Sequence, residues 1–142
     1  MQLVDANVLL YAVNQASAHH RRARSWLDAA LNGNEPVAFA WVVLLAFLRL
    51  STHPAVFPRP LAAHAAVDLV RAWLQQPTAV VVHPSARHLD VLAGLLSESG
   101  TAANLVNDGH LAALAVEHDA TLVSFDADFG RFAGLRWEPP GR

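Results

Sequence analysis

The sequence has 142 residues, a length that fits one folded domain with a substantial hydrophobic core. Its formal charge of −2 excludes the strongly basic class of nucleic-acid-binding domains, so binding to RNA would need a local basic patch or metal ions. The absence of cysteine excludes a disulfide framework and a thiolate metal site.

Hydrophobic residues make up 54% of the chain and charged residues only 15%. This hydrophobic fraction is high for a monomer of this size, so we expect a partner chain to cover part of the apolar surface. The longest apolar run, residues 37–48, is shorter than the roughly 20 residues that span a bilayer. We therefore expect a single cytoplasmic domain over residues 1–142 with no membrane association.

Strands and helices are predicted to alternate along the chain. The predicted strands cover the residues before Asp5 and then 36–40, 79–83, 121–124 and 135–137. The predicted helices cover 17–34, 41–51, 61–76, a segment capped by Ser85 with Leu89, Leu92, Ala93 and Leu96 facing inward, and 108–118. Residues 100–107 are predicted to form a loop. This alternation is typical of βαβ units and predicts an α/β fold with a parallel sheet.

Asp5 lies inside an apolar N-terminal segment, where a carboxylate is costly to bury without compensation. A strand that ends at Asp5 would deliver the carboxylate to the edge of the sheet, where open α/β folds bind ligands. The alternative is that Asp5 only caps a helix that starts near Ala6, with Asn7 as a turn residue. The N-terminal residues alone favour neither interpretation.

Three further acids are predicted to meet Asp5 if the fourth strand lies beside the first. Asp126 follows that strand, Asp108 begins the helix before it, and Asp128 lies just beyond Asp126. Converging carboxylates repel one another and raise one another's pKa, so the cluster needs a cation to stabilise it. Mg²⁺ and Mn²⁺ are suited to this role because both prefer oxygen ligands. Such a metal can activate water and offset charge on a phosphoryl group, so the pattern predicts phosphodiester hydrolysis.

Several residues leave two interpretations open. Arg49 could hold an RNA phosphate or pair with one of the acids. His110 could be a surface residue near a helix start or a phosphate contact, and the scattered histidines do not form a zinc motif. The charged face of the 17–34 helix is either solvated or a basic patch that faces RNA. The tryptophans are expected in the core or in an interface; they are Trp26, Trp41, Trp73 and Trp137.

The chain resembles the PIN-domain ribonucleases, and among them the VapC toxins of bacterial toxin–antitoxin pairs. The matching segments cover nearly the whole chain in order and lie at residues 4–11, 47–51, 104–115 and 122–129. The resemblance implies a three-layer α/β/α sandwich with four or five parallel strands and Mg²⁺-dependent cleavage of RNA, with tRNA as one candidate substrate. It also implies a VapB-type antitoxin and a homodimer.

The resemblance also implies roles for individual residues. Asp5, Asp108 and Asp126 match acidic metal-site positions of the family, and Asp128 is an auxiliary acid. Asn7 matches the polar residue that orients the first acid or the substrate.

The family's fourth acid, a glutamate, is replaced by Ala46. This departure fits either a natural variant that uses water in place of the carboxylate or a deliberate inactivation. It also raises the alternative that the chain is a catalytically weakened module that binds RNA or its antitoxin.

Overall fold

The computed structural model describes residues 1–99 and 105–141. Its strands are β1 (Gln2–Val4), β2 (Val37–Phe39), β3 (Ala79–Val81), β4 (Thr121–Val123) and β5 (Trp137–Glu138). Its helices are α1 (Ala6–Val13), α2 (His20–Leu31), α3 (Trp41–Ser51), α4 (Ala63–Leu74), α5 (His88–Ser99) and α6 (Val106–Glu117). A short 3-10 helix (Ala127–Arg131) follows β4.

The five strands form one parallel sheet in the order β3-β2-β1-β4-β5, so β1 is the central strand. Leu3 pairs with Ala38 of β2 on one side and with Leu122 of β4 on the other. Both leucines are buried, as expected for the middle of a parallel sheet that is covered on both faces. The predicted position of the fourth strand beside the first is therefore confirmed, and both strands end at the same edge.

The helices complete the expected α/β/α architecture. Helix α1 packs against α2 and α3, α3 packs against α4, and α5 packs against α6. Gly109, one residue after Asp108, permits the close approach of α5 and α6, because a Cβ there would lie 3.0 Å from Cδ2 of Leu96 and 3.1 Å from Cδ1 of Leu92. This contact fixes the first turn of α6, which carries Asp108.

Helix α1 was not among the helices predicted with periodic apolar faces. Its sequence is apolar almost throughout, with Val8, Leu9, Leu10 and Ala12 buried, so it shows no polar face that would reveal a helical period.

The predicted inward positions of Leu89 and Ala93 on α5 are wrong, because Leu89 is 75% exposed and Ala93 is also exposed. The helix begins at His88 instead of directly after Ser85, and Leu95 is the residue that it buries. The predicted 100–107 loop lies partly outside the described residues, and its last two residues already belong to α6.

None of the helices that the structure describes is long and apolar enough to cross a membrane.

Candidate functional site

Asp5 leaves β1 at the edge of the sheet, where its backbone N–H donates to the carbonyl of Val123 over 3.0 Å. Its Oδ1 accepts a hydrogen bond from the backbone N of Ala6 (2.7 Å) and caps α1. Its Oδ2 accepts from Oγ of Ser124 (2.6 Å) and from Nδ2 of Asn7 (3.3 Å). The capping role is therefore confirmed. A carboxylate has about four acceptor sites, so Asp5 keeps capacity for a further ligand.

Ser124 is a polar residue at the centre of the site that the sequence reasoning missed. It is fully buried, and its hydroxyl donates to Asp5 while it accepts from Nδ2 of Asn7 (3.1 Å) and from the backbone N of Asp126 (3.0 Å). Asn7 also accepts from the backbone N of Phe125 through its Oδ1 (3.1 Å). These bonds tie the end of β1 to the end of β4. The sequence signal that could have indicated this role is a serine that directly follows the apolar residues of β4.

The carboxylates of the predicted site influence one another. Burial raises the pKa of Asp5 and the negative charge of Asp126 raises it further, while hydrogen bonds from Ser124 and Ala6 oppose the shift. Burial also raises the pKa of Asp108, and the charges of Asp126, Asp5 and Asp128 add to that effect. Asp5 and Asp108 line the same cleft, and Oγ of Ser124 bonds both to Oδ2 of Asp5 and to the backbone N of Asp126. The structure therefore brings acids from both ends of the chain to one edge of the sheet.

Asp126 and Asp128 differ in their surroundings. Asp126 caps the 3-10 helix, because its Oδ1 accepts from the backbone N of Asp128 over 2.9 Å. The side chain of Asp128 is 66% exposed and lies 3.6 Å from Nη2 of Arg131. Arg131 also lowers the pKa of Asp108, against the larger effects that raise it. Asp128 therefore lies at the rim of the site, where it is shared between solvent and an arginine.

A cleft of about 360 Å³ opens between α1, α3 and the start of α6. Asp5 and Asp108 line it, and α3 contributes Ala46 and Arg49 on the facing side. Within the described part of the chain, Arg49 takes part in no ion pair with a carboxylate. The remaining lining residues are Ala6, Val42, Val43, Leu45, Asn107 and Leu111.

The donor set of this cleft fits a hard divalent cation. Across residues 1–99 and 105–141, no three His, Cys, Asp or Glu side chains lie together as a ready-made metal cage. Mg²⁺ commonly needs only one or two protein carboxylates, because it keeps several waters. Asp5 can accept a further ligand. A bound cation would also favour the ionised forms of Asp5 and Asp108, whose pKa values are raised without it.

A second polar cluster joins α5 to α6 behind the site. Nδ1 of His88 lies 2.5 Å from Oε2 of Glu117, and Nε2 of His88 lies 2.8 Å from Nδ1 of His110. Oε1 of Glu117 accepts from the backbone N and the hydroxyl of Ser85 (2.8 and 2.6 Å). His110 therefore contacts a neighbouring histidine, and the cluster anchors the start of α5 on α6.

Comparison with known proteins agrees with this fold. The family model of the PIN domain matches residues 3–135. The chain therefore belongs to the PIN-domain family. It is 60% identical over 140 residues to Ribonuclease VapC37 of Mycobacterium tuberculosis, with 99% of this chain and 97% of that protein covered. It is 42% identical to Ribonuclease VapC33 of the same species, with 100% and 99% covered. Within the PIN-domain family, the chain belongs to the VapC ribonucleases.

A solved structure supports the same fold at lower identity. The fold matches VapBC2 from Rickettsia felis, a complex bound to a DNA fragment from its promoter, with a TM-score of 0.73 and 20% sequence identity. The match covers 99% of this chain and 98% of that chain.

Proposed function

We propose that this protein is an endoribonuclease and the toxin component of a toxin–antitoxin pair. It hydrolyses RNA phosphodiester bonds, with tRNA as a candidate substrate, and depends on Mg²⁺, for which Mn²⁺ can substitute. The observation that carries the proposal is that Asp5 and Asp108 line one open cleft, while Oγ of Ser124 links Asp5 to the backbone N of Asp126. We further propose that residues 1–142 act as one PIN-like domain in the cytoplasm.

In this mechanism Asp5, Asp108 and Asp126 would hold the metal ion. When bound, a divalent cation supplies positive charge that offsets the carboxylates and the phosphoryl oxygens, and it makes water more acidic. Ser124 and the backbone N–H of Ala6 favour the ionised form of Asp5 through their hydrogen bonds.

Four side chains have roles besides metal binding: they position Asp5, bind the substrate or take up the proton. Asn7 keeps Asp5 oriented, because its Nδ2 donates a hydrogen bond to Oδ2 of Asp5. Arg49 faces the cleft from α3 and is suited to bind a phosphate of the RNA. Asp108 lines the cleft beside Asp5, so its carboxylate is placed to accept the proton of the attacking water, with Asp128 as an auxiliary acid.

The test uses purified protein, free of its antitoxin, with structured RNA and Mg²⁺ or Mn²⁺. We expect metal-dependent cleavage that Asp5→Asn abolishes. The matched control is Asp68→Asn, which changes an exposed acid on α4 and should cleave like the unmodified protein. Cleavage that survives Asp5→Asn or removal of metal would contradict the mechanism.

Ala46 supports a second candidate function, a module that binds RNA or its antitoxin without cleaving. Its methyl group lines the cleft together with Asp5 and Asp108, so the position that carries the family's fourth acid provides no carboxylate here. Binding of RNA without cleavage in the same assay would favour this function.

We propose that α3 and α4 contact a VapB-type antitoxin or the second subunit of a homodimer. Three large apolar side chains on these helices are exposed, namely Trp41 (47%), Leu45 (58%) and Val67 (40%). Cross-linking with and without the co-expressed antitoxin tests the proposal. Trp41→Ser should weaken association, whereas Leu89→Ser, which changes a more exposed residue on α5, should not.

A further inference from the structure

Three aromatic rings form a cluster beside the carboxylates, which we call the aromatic platform (Tyr11, His19 and Phe125). The ring centroid of His19 lies 4.8 Å from that of Phe125 and 5.2 Å from that of Tyr11. The Tyr11 and Phe125 centroids are also 5.2 Å apart. These separations are in the range of direct aromatic contact, so the rings form one cluster that is built from the end of α1, the start of α2 and the segment after β4.

The aromatic platform adjoins the proposed metal site through covalent and hydrogen bonds. Phe125 immediately precedes Asp126, and its backbone N donates to Oδ1 of Asn7. Tyr11 lies one helical turn after Asn7 on the same face of α1. His20 fixes the start of α2 nearby, because its Nδ1 lies 2.9 Å from the carbonyl oxygen of Tyr11.

The exposure and charge of the aromatic platform differ from those of a core cluster. His19 is exposed, and Tyr11 and Phe125 are only half-buried. The guanidinium carbon of Arg22 lies 5.6 Å from the ring centroid of Phe125. Nε of Arg22 donates to the carbonyls of Pro140 (2.5 Å) and Gly141 (2.8 Å), so a positive charge is held in place against the rings.

We propose that the aromatic platform is a base-stacking subsite for a nucleotide of the RNA next to the scissile phosphate. Recognition of single-stranded RNA combines aromatic rings that stack on bases with cationic groups that follow the phosphates. The aromatic platform supplies the rings and Arg22 supplies the charge, next to Asp126 of the proposed site. The proposal rests on the proposed function, in which RNA is the substrate.

His19→Ala is a suitable variant because the ring is exposed and the structural bonds of this residue come from its backbone. Its N–H donates to Oγ of Ser17 (3.1 Å), and its carbonyl accepts from the N–H of Ala23 (2.9 Å). Both bonds remain when the side chain is shortened. His64→Ala removes another exposed histidine, on α4, and serves as the matched control.

The experiment measures binding by fluorescence anisotropy in EDTA and again in Ca²⁺. The probes are a labelled octamer of adenylate RNA and an octamer with the same phosphates but abasic riboses. We expect the unmodified protein and His64→Ala to bind the adenylate octamer about 5- to 100-fold more tightly than the abasic octamer. His19→Ala should lose most of this preference with unchanged affinity for the abasic octamer, and His19→Phe should restore it.

Full retention of the preference in His19→Ala would overturn the stacking subsite. So would equal binding of the two octamers by the unmodified protein, or no binding in either condition. Failure of the proposed function gives a different result, because metal-dependent cleavage would then be absent while the preference for bases, and its loss in His19→Ala, would remain.

Discussion

Replacement of Ser124 by alanine removes the hydroxyl that joins Asp5, Asn7 and the backbone of Asp126. The bond to Asp5 is short, at 2.6 Å, and hydrogen bonds to charged groups contribute about 1.5–3 kcal/mol. A domain of this size loses about 2–4 °C in Tm per kcal/mol, so the melting temperature at pH 8 should fall by about 3–12 °C. Affinity for Mn²⁺ should fall as well, because the ionised form of Asp5 loses its donor.

Ser51→Ala provides the matched control, since Ser51 is the second fully buried serine among the residues whose burial the structure describes. Its Oγ has no hydrogen-bond partner among the described residues, so its removal should cost no stability. Differential scanning fluorimetry between pH 8 and acidic pH gives the Tm values, and calorimetry gives the Mn²⁺ affinity.

The loss in Ser124→Ala should shrink as the pH falls through the raised pKa of Asp5, because a hydrogen bond to a neutral carboxyl is worth only about 0.5–1.5 kcal/mol. Equal Tm losses in the two serine variants would refute the role of Ser124. A loss that stays constant with pH would refute the ionised Asp5 as its acceptor.

Three more changes test the electrostatics of the site and its support. Ala46→Glu should strengthen Mn²⁺ binding, and calorimetry that shows equal or weaker binding would contradict the position of residue 46 beside the metal. Asp108 has a raised pKa, so its ionised form opposes folding above that pKa, and Asp108→Asn should stabilise the metal-free protein at pH 8 by about 0.5–1 kcal/mol in urea unfolding. An unchanged or lower midpoint would contradict this. Burial of Glu117 opposes ionisation, but hydrogen bonds from Ser85 and His88 outweigh it and lower the pKa of Glu117. The stability that the ionised Glu117 contributes is therefore present at neutral pH and lost as the pH falls through that pKa. Glu117→Gln should lower Tm at pH 7 and make less difference in acid; a loss that is independent of pH would count against it.

The strands, and the acids that lie near Asp5, were predictable from the sequence for a simple reason. Short apolar runs bounded by turn residues gave the strands, and the order of a parallel sheet brought the ends of β1 and β4 together. Asp5 and Asp126 follow from those two facts alone. Asp108 needed the further expectation that α6 leads into β4.

Other features could not be predicted because they depend on packing. Helix α1 is buried on most of its surface and lacks a periodic polar face, and the face that α5 buries depends on where Glu117 holds the start of that helix. Ser124 is one serine among several in the sequence, and only the pairing of β1 with β4 makes its hydroxyl a link between two carboxylate-bearing segments. The same holds for Tyr11, His19 and Phe125, which come from three separate elements.

The pairing of β1 with β4 has a consequence during synthesis on the ribosome. In a nascent polypeptide, Asp5 is made more than a hundred residues before Ser124 and Asp126. A polypeptide that stops before β4 therefore lacks the hydroxyl that bonds to Asp5 and the segment that carries Asp126.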